Sequence, residues 1–307
     1  AIFLKNPFFT LLVNNIHIIH IRSYMPGLAA LPLKKIFKLS LVFDMRGLWA
    51  DEKVDRLGWS KKQIKYKFFK FLEQRLLRES ESVITLTNEL KDYLEYQGYS
   101  DSKIVPIRTC VNFDLFFPIK QSYTNKESSI NLGYLGSADT AYDIKPVLKL
   151  FSQMQKIQKN IKLKIFTKSD PNLILKIARK IGIEPNFLEI SFCERQNLNN
   201  EINKLNAIIF YLKPSFSLLA SMPTKIGESL ACNIPIICNA FNGDISKLIS
   251  ENGIGKLIKF NGAKEEALDT LDYLNYFSQK TNCLELAKSE FDLEKAAQKI
   301  SKIYLEI

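Results

Sequence analysis

The residues that could do chemistry are concentrated between Ser221 and Asn239, where the chain reads Ser-Met-Pro-Thr-Lys-Ile-Gly-Glu-Ser-Leu-Ala-Cys-Asn-Ile-Pro-Ile-Ile-Cys-Asn. Pro223 suits the first turn of a helix, because its missing N–H is not needed there. The N–H groups and dipole of such a turn bind phosphate, and Lys225 adds a positive charge. Glu228, one turn after Thr224, could accept hydrogen bonds from vicinal sugar hydroxyls. The pattern indicates a site for phosphate next to a diol, although a polar helix start before a core strand is the plainer alternative.

Strands and helices alternate on both sides of this segment. Short apolar runs read as buried strands, for example at 16–21, 39–43, 82–86, 130–135 and 207–212. Residues 1–12 read as the end of a helix, and a long amphipathic helix is predicted from about Ser60 to Glu79. Strands alternating with helices predict an α/β fold with parallel sheets.

A polar, turn-rich segment at 119–129 interrupts this alternation and predicts a linker between two domains. The predicted domains are 1–118 and 130–290, and a closing helix follows at 291–307. A chain of 307 residues is long enough for two separate cores.

Composition argues against several classes of protein. The apolar runs are too short for a transmembrane helix, and residues 1–20 do not have the pattern of a signal peptide. The five cysteines are odd in number and include no Cys-x-x-Cys pair. They are typical of reduced thiols in a cytoplasmic protein, and they do not predict a zinc site.

The segment 221–239 resembles the donor site of the group 1 (family 4) glycosyltransferases, in the branch with Ser-Pro-Thr-Lys-x-x-Glu. In that family the glutamate at the Glu228 position usually holds the nucleotide ribose. The similarity runs from His17 to about Leu305 and implies the GT-B architecture, in which two Rossmann-like domains with parallel sheets face a central cleft. A complete first domain of this kind would begin roughly 60–90 residues earlier.

The block from Asp44 to Glu52 also resembles one found in several such transferases. Many relatives carry a catalytic histidine at the Asp44 position, where a carboxylate could stabilise positive charge on the anomeric carbon or orient the acceptor hydroxyl. Asp44 and Arg46 could equally form a structural salt bridge at a strand end. His20, near the end of the neighbouring strand, is the third catalytic candidate. With no acidic cluster beside His17 and His20, no metal site is predicted.

Gly136 and Ser137 end the first strand of the second predicted domain, where the family's turn approaches the diphosphate and glycine permits that approach. Most relatives have an arginine directly after this glycine and a lysine soon afterwards. This chain has Ser137 there, with Asp139 and Asp143 nearby. The candidate replacements, each a surface residue in the plainer interpretation, are Lys168, Arg195, Lys213 and Lys225. Lys213 and Lys225 are preferred, and Pro223, Thr224 and Glu228 complete the predicted donor set.

A second glutamate of the family, eight residues before Glu228, is Ala220 in this chain. Because that glutamate usually meets the donor sugar, the sugar's identity stays open. Gly243-Asp244 resembles the Gly-Asp of this branch, where a loop role and a donor contact are equally compatible.

The net charge of +11 is densest near 61–72, where lysines alternate with aromatic residues. A basic aromatic helix could lie on an anionic membrane surface or follow nucleic acid, or it could be a core helix with a solvated lysine face. Acceptors of such enzymes are often lipid-linked, so the prediction is peripheral membrane contact and no nucleic-acid partner.

The resemblance implies a cytoplasmic transferase, either free or at the inner face of the cytoplasmic membrane, in cell-surface polysaccharide or lipopolysaccharide synthesis. It would move a hexosyl or N-acetylhexosaminyl group, with retention, from a nucleoside diphosphate sugar (UDP-sugar foremost) to a glycan or lipid-linked acceptor. No cofactor or metal is implied, and the chain has no Asp-x-Asp. The alternatives are a truncated or inactive nucleotide-binding partner subunit, and a sugar-nucleotide epimerase or hydrolase on the same fold.

Overall fold

The computed structural model describes residues 16–119, 129–138, 141–241, 243–277 and 282–307. The helix end predicted at 1–12 and most of the linker predicted at 119–129 lie outside the described residues. The chain forms two compact units. The first comprises Ala1–Arg108, Ser215–Met222 and Glu294–Ile307, and the second comprises Thr109–Pro214 and Pro223–Leu293.

The first unit contains a four-stranded parallel sheet in the order β1-β2-β3-β4. Its strands are β1 (Ile18–Arg22), β2 (Ser40–Met45), β3 (Ser82–Thr85) and β4 (Ile104–Pro106). Its helices are α1 (Gly27–Phe37), α2 (Trp49–Leu57), α3 (Ile64–Glu79) and α4 (Asn88–Tyr96). The alternation predicted from sequence is therefore present. Because β2 extends to Met45, Asp44 lies within the strand and not beyond its end.

The helix predicted from about Ser60 begins only at Ile64, and the preceding α2 was not predicted. Gly58 adopts the left-handed conformation that ends a helix, with φ +66°, and separates the two helices. Asp51 and Glu52 in the first turn of α2 complement the helix dipole. These local signals could have predicted a separate helix, but they were not used for that.

A buried polar network joins the turns after β1 and β2 to α3. The Tyr24 hydroxyl lies 2.7 Å from Glu73 Oε2 and 2.8 Å from the carbonyl oxygen of Gly47. Lys70 Nζ donates to Asp51 Oδ2 at 3.0 Å and pairs with Glu73. Burial raises the pKa of Glu73, although Lys70 and Tyr24 oppose that change. The network fixes the backbone just after Asp44 and Arg46 because it anchors Gly47.

The second unit contains a six-stranded parallel sheet in the order β10-β9-β8-β5-β6-β7. Its strands are β5 (Ile130–Leu135), β6 (Ile161–Phe166), β7 (Leu188–Ser191), β8 (Ala207–Phe210), β9 (Ile236–Asn239) and β10 (Gly255–Ile258). This is the doubly wound Rossmann order, whose topological switch point lies between the first and fourth strands. Here that point lies between β5 and β8, where ligands of such sheets bind.

Helices cover this second sheet and end the chain. They are α5 (Ile144–Ile157), α6 (Pro171–Ile181), α7 (Arg195–Ile202), α8 (Thr224–Ala231), α9 (Asp244–Asn252), α10 (Lys264–Phe277), α11 (Cys283–Glu290) and α12 (Leu293–Glu306). Short 3-10 turns occur at Asp101–Lys103, Pro185–Phe187 and Phe216–Ala220. Within the described ranges, no helix combines the length and apolarity needed to cross a bilayer.

Helix α8, which carries the candidate donor motif, packs tightly at Gly227. A Cβ atom at this position would lie 2.6 Å from Val111 Cγ2 and 2.9 Å from Phe291 Cδ1. Such distances leave no room for a methyl group, so glycine permits the close approach of α8 to its neighbours.

A Gly227→Ala substitution should therefore destabilise the second unit. In an unhindered helix this change raises the free energy of unfolding by about 0.5–1 kcal/mol. At Gly227 overpacking should instead lower the free energy of unfolding by about 1–3 kcal/mol. Urea unfolding would measure the difference. Ser250→Ala on the exposed face of α9 is the matched control, and a stabilised Gly227→Ala protein would contradict the packing argument.

Candidate functional site

The first candidate cluster lies at the carboxyl ends of β5 and β8, the switch point of the second sheet. β5 ends at Leu135, and Gly136 follows with φ +117°, a conformation that favours glycine. Pro223 is the N-cap of α8, one residue earlier than the first-turn position expected from sequence. A helix start and a glycine turn therefore flank the point where Rossmann sheets bind ligands.

Lys225 is buried beneath the Gly136 turn. Its Nζ donates to the Leu135 carbonyl oxygen at 2.5 Å and lies 3.4 Å from the ring centroid of Tyr142 and 4.5 Å from that of Phe210. A Cβ atom at position 136 would lie 3.6 Å from this Nζ, an ordinary van der Waals contact. Burial lowers the pKa of Lys225 well below its ordinary value. The amine thus lies below the turn, whereas the sequence predicted a lysine that reaches phosphate directly.

Glu228 lies one turn further along α8 and is also buried. Its Oε1 is 2.6 Å from Arg195 Nη1, and the Arg195 guanidinium lies 5.2 Å from the Phe116 ring. Burial raises the pKa of Glu228, and the charge of Arg195 opposes this change. Arg195, the first residue of α7, is itself largely exposed. The structure therefore brings together two residues that were proposed separately from sequence.

The other donor candidates lie at neighbouring strand ends. The Tyr134 hydroxyl donates to the carbonyl oxygen of Ser137 at 2.7 Å. Lys168 follows β6, and its Nζ lies 5.2 Å from the ring centroid of Phe192. Lys213 follows β8, and its backbone N–H donates to the Ala141 carbonyl at 3.0 Å. Asp139 lies outside the described residues. Lys225 and Arg195 are candidate cations that contact the cluster around α8.

A cavity of about 630 Å³ lies where β6 and β7 end. Its lining comprises Phe166, Ser191, Phe192, Cys193, Glu194, Asn197, Asn200, Glu201 and Lys204. The Phe192 side chain is 58% exposed, which leaves its ring available for stacking. Phe192 was not among the predicted site residues, although an aromatic residue directly after a strand is a usable signal. The cavity borders Arg195 through its neighbour Glu194.

A second cluster lies in the first unit and contains the candidate catalytic residues. Asp44 Oδ1 lies 3.6 Å from Arg46 Nη1, and His20 Nδ1 lies 2.5 Å from the Tyr304 hydroxyl. Arg22 is paired with Asp44 in the register of β1 and β2. Tyr304 comes from α12, 284 residues after His20, and no sequence pattern linked the two. The structure thus adds Tyr304 to the three residues expected from sequence.

The charges of this cluster act on one another. Burial raises the pKa of Asp44, and Arg46, His20 and Arg22 oppose this change. Burial lowers the pKa of His20, and the Asp44 carboxylate raises it. In the described parts of the chain, no group of three or more His, Cys, Asp or Glu side chains is placed to hold a metal ion.

Replacing Asp44 with asparagine should lower the pKa of His20 further, because the carboxylate that favours the imidazolium is removed. An NMR titration would detect this change directly, since the chain contains only two histidines. The resonances of His17 are the internal reference, and Glu89→Gln on α4 is a control for general charge effects. An unchanged or raised pKa of His20 would mean that Asp44 does not act on it.

Lys225 should make the stability of the protein depend on pH. Between the lowered pKa of folded Lys225 and the ordinary lysine value of about 10.4, the unfolded chain holds a proton that the folded chain does not. Stability should therefore increase with pH in this window, by at most about 1.4 kcal/mol per pH unit.

Lys225→Met should remove this increase while keeping a long side chain among the aromatic rings. Urea unfolding of both proteins at several values from about pH 7 to about pH 9.5 would measure the two slopes. A constant difference in stability between them across this range would contradict the lowered pKa.

Comparison with protein families gives a match for each part of the chain. Residues 8–110 match the model of the glycosyl transferase 4-like domain. Residues 117–277, more than half of the chain, match the model of the glycosyl transferases group 1. Comparison with curated proteins gives no match.

Solved structures with the same fold are distant in sequence. A sucrose-phosphate synthase from Thermosynechococcus elongatus aligns with a TM-score of 0.72 at 15% identity, over 94% of this chain and 73% of that one. A glycosyltransferase from Rickettsia africae aligns with a TM-score of 0.71 at 18% identity, over 98% of this chain and 82% of that one. HepE from Anabaena, solved in complex with UDP, aligns with a TM-score of 0.76 at 12% identity, over 98% of this chain and 81% of that one.

At these identities the similarity establishes the fold, which is α/β and GT-B-like with two parallel-sheet units. The family follows from the match over residues 117–277, which include the β5 turn and all of α8. The chain belongs to the group 1 glycosyl transferases.

Proposed function

We propose that this glycosyltransferase moves a sugar from a nucleoside diphosphate sugar, most simply a UDP-sugar, to a glycan or lipid-linked acceptor with retention of configuration. The observation that carries the proposal is the buried Glu228 carboxylate, 2.6 Å from Arg195 and one turn after the buried Lys225. Anabaena HepE, a protein with the same fold, was solved in complex with UDP, which supports the choice of nucleotide.

The nucleotide half of the donor fits the cluster around α8. Glu228 would accept hydrogen bonds from the ribose hydroxyls, which requires an ionised carboxylate. Arg195 favours that ionised form, and a carboxylate has lone pairs left for a diol beside one guanidinium. The base would stack in the neighbouring cavity, where Phe192 provides an exposed ring.

The diphosphate would lie between the Gly136 turn and the start of α8. The N–H groups of Thr224 and Lys225 belong to the first turn, which supplies donors without intrahelical acceptors. The Lys225 amine lies below the turn, where the leaving group gains negative charge. Burial alone favours the neutral amine, and a bound diphosphate would favour its protonated form. A protonated Lys225 would then stabilise the charge of the leaving group electrostatically.

The acceptor side of the reaction is proposed for Asp44, Arg46 and His20 of the first unit. A carboxylate at Asp44 would stabilise positive charge developing at the anomeric carbon, or orient the acceptor hydroxyl. Arg46 favours the ionised form of this carboxylate and so opposes the effect of burial. Tyr304 would hold the His20 ring through Nδ1 and leave Nε2 for the acceptor.

The setting we propose is the cytoplasmic side of a membrane, in the synthesis of cell-surface polysaccharide or lipopolysaccharide. Hexosyl and N-acetylhexosaminyl groups both fit the proposal, and neither a cofactor nor a nucleic acid has a part in it. The support for membrane contact is the basic helix near 61–72, whose geometry is given in the next subsection.

A nucleotide-binding chain without turnover is the second candidate. Two departures from the family pattern favour it: Ser137 stands where most relatives have arginine, and Ala220 stands where the family has glutamate. Ala220 is buried and belongs to the first unit. Binding of UDP without any consumption of UDP-sugar, in the presence of extracted glycolipid acceptors, would favour this candidate.

A Glu228→Gln substitution should weaken UDP binding at least tenfold, corresponding to about 1.4 kcal/mol, because the ribose loses its charged acceptor. Isothermal titration with UDP, GDP and ADP would measure the affinity and also identify the preferred base. Glu251→Gln, at an exposed position of the same unit, should bind as the unaltered protein does. Equal affinity in the Glu228 variant would remove Glu228 from the donor site.

A further inference from the structure

The outward face of α3 carries large apolar side chains that nothing in the described structure covers. Ile64, Phe68 and Phe71 are 86%, 46% and 58% exposed. Their spacing of four and three residues places them in one stripe along the helix. The opposite face packs into the core through Leu72, Leu76 and Leu77. An isolated exposed apolar residue is ordinary, but an aligned set of three on one helix marks an interaction surface.

Four lysines surround this stripe: Lys61 and Lys62 in the turn before α3, and Lys65 and Lys67 within it. All four are exposed. The segment 58–72 contains no acidic residue. Lys61 Nζ lies 5.8 Å from the Phe216 ring centroid, and Lys65 Nζ lies 4.2 Å from that of Trp59. These cation–π contacts leave the positive charges uncompensated, so the stripe lies in a positive field.

Lys70 differs from these four because it turns inward, to the buried carboxylates of Asp51 and Glu73. Lys70 therefore has a role inside the protein and is not counted among the lysines of the exposed face. It also fixes the rotation of α3, since the residue that binds the buried acids must face the core. The stripe of Ile64, Phe68 and Phe71 is therefore held outward by an internal ion pair.

We propose that this face of α3 docks on an anionic phospholipid bilayer, with Ile64, Phe68 and Phe71 entering the boundary between headgroups and acyl chains and the four lysines lying among the phosphates. The inference deepens the membrane contact of the proposed function and rests on it only for its biological setting. It assigns the insertion to three side chains and the selection of anionic lipid to four others.

The chemistry of the face favours lipid over a protein partner. Protein interfaces are depleted in lysine at their centre, whereas a helix lying in the membrane interface combines lysines on its polar side with Phe and Leu on the other. Each lysine near an anionic surface strengthens binding several-fold, and the apolar stripe adds an attraction that salt does not screen. The two contributions can therefore be separated by experiment.

Flotation of the full chain with vesicles tests the proposal. Vesicles of phosphatidylethanolamine with about one-third phosphatidylglycerol should carry the protein upward, and vesicles of phosphatidylcholine alone should carry at least tenfold less. Phe68→Ser/Phe71→Ser should reduce binding to the anionic vesicles at least tenfold. Lys62→Gln/Lys67→Gln should remove most of the preference for anionic lipid.

Matched controls keep the outcome specific. Tyr96→Ser removes an exposed aromatic from α4 of the same unit, and Lys176→Gln/Lys180→Gln removes two exposed lysines from α6. Both should float as the unaltered protein does. Every variant should keep its affinity for UDP, which is measured separately and reports on the proposed function alone.

Three results would overturn the lipid proposal. They are failure of the unaltered chain to float with anionic vesicles, equal loss in the control variants, and flotation that Phe68→Ser/Phe71→Ser leaves unchanged. A concentration-dependent dimer that the same double variant dissolves, without vesicle binding, would assign the face to a second copy of the chain. In each case UDP binding would still decide the proposed function independently.

Discussion

The buried amine of Lys225 is the constraint on which the second unit depends. Removing an ammonium group from water without a carboxylate partner is costly, and one carbonyl hydrogen bond with nearby aromatic rings offsets only part of that cost. The turn above the amine contains Gly136 with φ +117°, a conformation that favours glycine, and Gly227 permits the close approach of α8 to Val111 and Phe291. A buried ionisable group with a strongly lowered pKa, held at the switch point of a Rossmann sheet, is typical of a functional site and is poorly explained by stability.

The two charged residues of α8 do not neutralise each other. Lys225 points to the end of β5, and Glu228, one turn later, pairs with Arg195 on α7. A ligand that offers an anionic group near the first and hydroxyl donors near the second would gain from both sites at once. Phosphate beside a ribose diol has this combination, and this supports the proposed nucleotide donor.

Sequence reasoning succeeded where local pattern determines structure. The alternation of apolar runs predicted two parallel sheets, and the residues from Pro223 to Glu228 predicted the start of a helix; the structure contains both. Phosphate binding at this helix start stays a prediction. It could not predict that Lys225 would turn inward, because a lysine in a first turn has the same local pattern whether buried or solvated. The contact between Tyr304 and His20 could not be predicted for another reason. It joins residues that are 284 positions apart, and the packing of α12 creates it.

In the first unit a comparable internal pairing controls what the surface presents. Glu73 is buried among Tyr24 and Lys70, and breaking that pairing would leave a charge without compensation. The same network anchors Gly47, one residue after the candidate catalytic Arg46, and sets the rotation of α3. One set of buried charges thus positions both the loop proposed for the acceptor and the helix face proposed for lipid. The loop at Gly47 and the face of α3 both depend on the hydrogen bonds and ion pair of Glu73. In the proposed reaction, a lipid-linked acceptor would therefore meet a lipid-binding face and an acceptor loop whose relative position is fixed.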